Sequence, residues 1–304
     1  MRLDSRLRNR LLALVAIPLV VLGVSACGSA TNSMDGKIVA VAGENFYGDL
    51  IARVGGDRVD VTSIISDPAA DPHTYESNTQ NAESVADATL VVENSLGYDA
   101  FLDHLIGASP RSDRKVINVQ QLLGLPDGSN THVWYDPATM PKVARAVTDA
   151  LDQIEPNSKV AFEANLKTYL DSFAPLTARI ADIKARYPGT PVAYTESVPG
   201  YLLTALGFQA LTPQGFAKAI ENGTDPAPVD VAAERDLLTG HKVRLLLYNS
   251  QAMSPVTESI KSLAGDSGVP VVGVSETIPG QNESYVAWQL AQLNEMVAAL
   301  EGAQ

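Results

Sequence analysis

Short runs rich in β-branched residues alternate with helix-length segments along most of this chain, and no other feature narrows its fold as much. Residues 37–42, 58–65, 89–92 and 115–119 are four such runs, with helical stretches over 44–54, 78–86 and 98–106 between them. Runs of four to eight residues between turn signals suit strands and are too short for helices. Strands separated by helices cannot pair as hairpins, so they line up in parallel with helices on both faces of the sheet. A helix over 138–154 closes this half. The pattern then restarts, with strands over 191–195, 243–248 and 269–274 and helices over 199–206, 229–238, 254–264 and 283–300. A Pro- and Gly-containing loop region through Pro228 interrupts it. No close sequence repeat relates the halves, so their likeness is architectural. The fold class is α/β, with two Rossmann-like lobes built on parallel sheets, residues 37–157 and 188–304, a natural division for 304 residues.

Between the lobes, residues 158–187 place apolar side chains at three- and four-residue steps, from Phe162 and Leu166 through Phe173 and Leu176 to Ile183 and Tyr187. One helix of that length spans ~45 Å, enough to cross a two-lobed protein, and predicts a single long rigid linker. Pro175 opposes continuity, because it removes a backbone hydrogen bond and bends a helix near its middle; two helices broken there is the other reading.

The first 26 residues read as a signal peptide rather than as fold. Arg2, Arg6, Arg8 and Arg10 precede an apolar stretch over 11–24 of about 14 residues, short of the ~20 that span a bilayer. Val24-Ser25-Ala26-Cys27 looks like a bacterial lipobox, with Cys27 the only cysteine and the predicted lipidation site. A single cysteine excludes internal disulfides and thiolate metal clusters. Residues 27–36 then form a small-residue tether. The expectation is an exported lipoprotein on the outer face of the cytoplasmic membrane. Residues 1–26 carry a net +3, so cleavage takes the formal charge from −13 to −16. No basic stripe exists to bind nucleic acid.

The chain has four histidines. His73 lies in Asp71-Pro72-His73-Thr74-Tyr75-Glu76 and His132 in His132-Val133-Trp134-Tyr135-Asp136-Pro137, both beside loop prolines. Glu196 and Glu276 immediately follow predicted strands, where open parallel sheets bind ligands. These four are the candidates for a metal site in a cleft between the lobes. Asn249 and Gln251 also follow a strand and could line the cleft. His104 and His241 read as surface residues, Trp134 and Trp288 as packing. Asp71, Glu76 and Asp136 are candidates to orient the imidazoles.

The motifs at 71–76 and 132–137, with the stretch 268–277, resemble those of the metal-binding lipoproteins of bacterial zinc and manganese ABC transporters, from about residue 37 to the end. The resemblance implies two lobes joined by one long helix. It also implies a metal set of His73, His132, Glu196 and Glu276 and delivery of the ion to an ABC permease driven by a cytoplasmic ATPase. The fourth ligand of that family is more usually aspartate, and residues 122–130 contain none of the histidines of the zinc-type loop. Glutamate at the third position, Glu196, looks more like the manganese type than the three-histidine zinc type. Two imidazoles and two carboxylates fit tetrahedral zinc, and with both oxygens of each carboxylate bound they fit manganese, so the ion stays open between Zn2+ and Mn2+.

The function expected is extracytoplasmic capture of a divalent transition metal by a monomer that is not an enzyme. A binding protein for a chelated metal or small organic ligand, or a zinc-dependent hydrolase, are the alternatives. Four protein ligands leave no open position for catalytic water, and no Gly-x-Ser-x-Gly nucleophile turn is present. Deprotonated imidazoles are required for binding, so affinity is expected to fall as pH drops below about 6.5.

Overall fold

The computed structural model describes residues 36–280 and 283–302; the signal peptide and Cys27 fall outside them. The first half builds a sheet from β1 (Ile38–Glu44), β2 (Val59–Ile65), β3 (Leu90–Glu93) and β4 (Lys115–Asn118), in the order β2-β1-β3-β4 and all parallel. The second half builds β5 (Pro191–Tyr194), β6 (Gln209–Ala210), β7 (Leu245–Asn249) and β8 (Val271–Val274) in the order β6-β5-β7-β8, again all parallel. The two sheets therefore share one topology without sharing a sequence.

In the first half α1 (Asn45–Gly55), α2 (Thr79–Asp87) and α3 (Ala100–Ala108) fill the crossovers, and α4 (Val119–Leu123) and α5 (Thr139–Ile154) follow the last strand. The second half holds α8 (Gly200–Leu206), α9 (Gln214–Glu221), α10 (Pro228–Thr239), α11 (Pro255–Asp266) and α12 (Tyr285–Gly302). Side chains leave a strand on alternating faces. Val192, Leu245, Leu247, Val272 and Val274 accordingly join the large core shared with the first sheet, while Ala193 and Leu246 face a smaller core with Phe216 and Ile260. Both sheets belong to one compact unit. Among the described residues, no helix is long and apolar enough to cross a membrane.

Two expectations change. The loop region through Pro228 contains the two-residue strand β6 and helix α9, which buries Phe216, Ala217 and Ile220. The i, i+4 pair Phe216/Ile220 is its only periodic signal, and the flanking Pro213 and Gly223 hide it. The linker is likewise two helices, α6 (Lys159–Asp171) and α7 (Ala174–Arg186), not one. Pro175 has no N–H to give Asp171, and Phe173 instead bonds three residues back, to the Leu170 carbonyl at 3.2 Å. Ser172 and Phe173 keep right-handed helical dihedrals, so the chain winds on in the same sense. Phe173 stacks on Tyr285 at 5.8 Å between ring centroids, which seats the break against α12.

The first turn of α1 packs against the segment that carries His132. Phe46 is fully buried, stacks on Trp134 at 4.4 Å and meets Tyr47 edge-on at 4.6 Å. Phe46→Ala should lower the unfolding free energy by about 3–5 kcal/mol, through lost burial and the cavity left behind. Urea denaturation checks this; a loss below about 1 kcal/mol would mean that Phe46 is not part of a close-packed core.

Candidate metal centre

Four side chains from distant parts of the chain converge. His73, His132, Glu196 and Glu276 each offer one atom, and these atoms all lie within 4.8 Å of one another. The parallel topology explains the meeting. β2 runs out into the loop that carries His73, while Glu196 and Glu276 each lie two residues beyond the ends of β5 and β8. β7 lies between those two strands and ends in Asn249, which places Asn249 between the two glutamates.

His73 occupies a short 3-10 turn, Pro72–Thr74, which Asp71 caps by accepting the backbone N–H of His73 at 2.9 Å. Its side chain is 17% exposed, against zero for the other three, so the route into the site passes His73. His132 precedes a second 3-10 turn, Val133–Tyr135, with its ring edge-on to Trp134 at 5.3 Å. His132 Nδ1 lies 2.7 Å from Asn130 Oδ1. Asn130 Nδ2 donates to the Ser197 carbonyl at 2.8 Å, so the amide oxygen faces the imidazole. The ring then carries its proton on Nδ1 and turns the Nε2 lone pair inward. A Cβ at position 200 would stand 2.9 Å from Asn130 Nδ2, which makes glycine the fitting residue there.

His73 Nε2 lies 2.9 Å from Glu196 Oε1 and 3.2 Å from Glu276 Oε2, and His132 Nε2 lies 3.3 Å from the same Glu276 oxygen. Close as these atoms are, their angles do not suit hydrogen bonds: both Nε2 atoms and Glu196 Oε1 are buried without a hydrogen-bond partner. Unpartnered buried polar atoms are rare, and three aimed at one point are the arrangement a cation completes. Two carboxylates and two neutral imidazoles also present the −2 charge that a divalent ion cancels.

The two outer carboxylate oxygens, and Glu276 Oε2 as well, accept hydrogen bonds from the protein. Tyr98 Oη donates to Glu276 Oε2 at 2.9 Å, and Asn249 Nδ2 donates to Glu276 Oε1 at 2.8 Å and to Glu196 Oε2. Gln251 Oε1 accepts the backbone N–H groups of Glu276 and Thr277, at 2.6 and 3.1 Å. Its Nε2 donates to the Ala70 carbonyl at 3.0 Å, tying the His73 loop to the Glu276 loop.

Without an ion the charges shift one another. Burial pushes the Glu196 carboxyl up, as does the neighbouring Glu276. Burial also pushes Glu276 up, but both histidines outweigh it and hold that carboxyl well below the usual range. Burial pulls His73 down, yet the two carboxylates beside it dominate and push the imidazole up to about 11. Below the site, the crevice of the first sheet holds more acid. Glu44, the last residue of β1, is fully buried with neither oxygen partnered, and burial together with Asp99 and Glu93 pushes its carboxyl far up.

The expected imidazole orienters are not the observed ones. Asp71 binds the His73 backbone, Asp136 caps Ala138 N at 2.9 Å, and Glu76 is exposed. Asn130 does this for His132, and neither its residue type nor its spacing marks it. Asn249 and Gln251 line the centre as expected, bonded to the glutamates and their backbone. His104 and His241 are exposed, and Trp134 and Trp288 are buried in packing.

The family model described as "zinc-uptake complex component A periplasmic" (ZnuA) matches residues 40–299. The chain belongs to this family. It is similar to the manganese-binding lipoprotein MntA of Halalkalibacterium halodurans, 26% identical over 205 residues that cover 65% of this chain and 67% of that one. It is similar also to the manganese ABC transporter substrate-binding lipoprotein ScaA of Streptococcus gordonii, 23% identical over 85% of this chain and 86% of that one. Among solved structures, the periplasmic zinc binding protein TroA of Treponema pallidum superposes with a TM-score of 0.74 at 19% identity, over 87% of this chain and 99% of that one. The binding protein FpvC of Pseudomonas aeruginosa, solved with Mn2+, gives 0.72 at 20% identity, over 88% and 100%. These structures share the two-lobed fold, and the family is one of uptake components rather than enzymes.

The sign of the His73 shift gives a check on the metal-free protein. A histidine raised above its unfolded value adds stability that is fully present below pH ~6.5 and is lost as pH rises through about 11. In metal-free protein the His73 ring resonances should not titrate between pH 5 and 9, whereas a midpoint near 6.5 would contradict the clamp by two carboxylates.

Proposed function

We propose that the protein captures a divalent transition-metal ion, zinc or manganese, outside the cytoplasm and delivers it to an ABC permease powered by a cytoplasmic ATPase. His73, His132, Glu196 and Glu276 hold the ion in this reading. The observation that carries it is the convergence of four donors, three of them buried and otherwise unpartnered. The names of the relatives, which include manganese and zinc binders, support the same class of cargo. The chain acts as a monomer, tethered through residues 27–36 to a lipid on Cys27. The lobes divide at residues 157 and 188, with α6 and α7 as the linker.

An incoming ion takes the place of the proton on His73. Binding therefore depends on pH well above the 6.5 expected for an ordinary imidazole, since the proton leaves His73 only near 11. The ion enters past the part-exposed His73 and meets His132 and the glutamates deeper in. The four donor atoms lie within 4.8 Å of one another, a spacing that suits a bare ion better than a chelate.

Calorimetry of metal-free protein with zinc should give one ion per chain and release about one proton at pH 7, with affinity falling about tenfold per pH unit from 8 to 6. His73→Ala and His132→Ala should each weaken binding by more than about 100-fold, beyond the loss typical of a residue that only orients a ligand. Unchanged affinity in either variant would overturn the reading. Wild-type protein should incorporate labelled fatty acid and Cys27→Ala should not; equal labelling of the two would rule out the lipid tether at Cys27.

A further inference from the structure

We propose that Asn249 sets the number of oxygens the site offers, limiting each glutamate to one and so favouring four-coordinate zinc over manganese. The inference rests on the capture reading and names the cargo within it.

Asn249 is buried at the end of β7, flanked by β5 and β8, whose continuations carry Glu196 and Glu276. A carboxamide nitrogen has two hydrogens. Here one goes to Glu196 Oε2 and the other to Glu276 Oε1, at 2.8 Å for the latter. The amide cannot be the other way round: Asn249 Oδ1 accepts the backbone N–H of Gln251 at 3.0 Å, and a reversed group would face two carboxylates with an oxygen. The Asn249 backbone N–H donates to Thr195 Oγ1 at 2.9 Å, which fixes the residue beside the strand that carries Glu196. Asn249 is thus held at three atoms before any ion arrives.

The oxygens divide into two sets. Glu196 Oε1 and Glu276 Oε2 are the atoms nearest the histidine Nε2 atoms, and Glu196 Oε1 has no hydrogen-bond partner. Glu196 Oε2 and Glu276 Oε1 carry the amide hydrogens. A carboxylate oxygen can accept a hydrogen bond and bind an ion together, as Glu276 Oε2 does in this reading with Tyr98. For either carboxylate to bind through both oxygens, however, it must turn, drawing the oxygen held by Asn249 away from the amide. Stretching a buried hydrogen bond to a charged group is costly, so the one-oxygen mode is favoured on both sides. With two nitrogens, the site then presents four donors, the number that structural zinc takes. An ion that needs more oxygens must bring water into a space where three of the four side chains have no exposure. Asn249 does not touch the ion. It is a positioning residue, acting through the two glutamates.

The test uses the visible spectrum of Co2+ added to metal-free protein, because four-coordinate Co2+ absorbs strongly and higher-coordinate Co2+ weakly. Two variants remove the donors: Asn249→Ala, and Asn249→Leu, which keeps the volume. Wild type should show the intense four-coordinate bands. Both variants should show weak bands, and their zinc-to-manganese affinity ratio should fall about tenfold or more, the size of change expected when a ligand's hydrogen-bond partner is lost. Weak bands in wild type, or variants that keep both its spectrum and its metal ratio, would overturn the inference while leaving the capture reading intact. If wild type takes up neither Co2+ nor Zn2+, the capture reading fails and this inference with it. Should either variant fail to fold, the wild-type spectrum and the remaining variant still decide.

Discussion

Two glutamates buried side by side at the ends of β5 and β8 are the constraint on which the rest of the site depends. Like charges out of water repel each other and lose their hydration, and they persist only with compensating partners. In the metal-free protein the compensation comes from His73, from Tyr98 and from the amide of Asn249. A divalent ion supplies it more fully. In the capture reading, a proton on His73 stands in for the cargo and offsets the two carboxylates while the site is empty.

The backbone makes this juxtaposition possible by repeating one topology. Each sheet runs parallel with its first strand second in the order, so the carboxyl ends of each sheet's strands all point one way. The first sheet's own crevice is filled by Glu44 and Asp99, and its contribution to the site comes from loops after β2 and β4. The second sheet contributes directly from the ends of β5, β7 and β8. Ties across the cleft hold the two sets in register: Asn130 to Ser197, Gln251 to Ala70, and Tyr98 to Glu276. All three are hydrogen bonds that reach a site residue or its immediate neighbours, so the cleft is braced where the donors meet.

Much of this can be read from residues alone, for physical reasons. Strand-length runs such as 37–42 and 269–274 have a period and length that no helix shares, and Glu196 and Glu276 sit just after such runs. Asn130 cannot be found that way, because its role depends on Ser197 arriving from the other half of the chain. Asn249 is visible as a residue after a strand, but its bridging of two carboxylates follows from strand order, which periodicity does not reveal. Pro175 is compatible with both a bend and a break; the two-helix outcome follows from the missing N–H, with Phe173 and Tyr285 packing at the junction. Helix α9 escapes because its eight residues give too few turns to establish a period.

The most direct measurement is anomalous diffraction at the zinc edge from crystals of the metal-loaded protein. A single strong peak bonded to His73 Nε2, His132 Nε2, Glu196 Oε1 and Glu276 Oε2 is the predicted result. A peak elsewhere, or an ion that leaves either histidine unbonded, would contradict it.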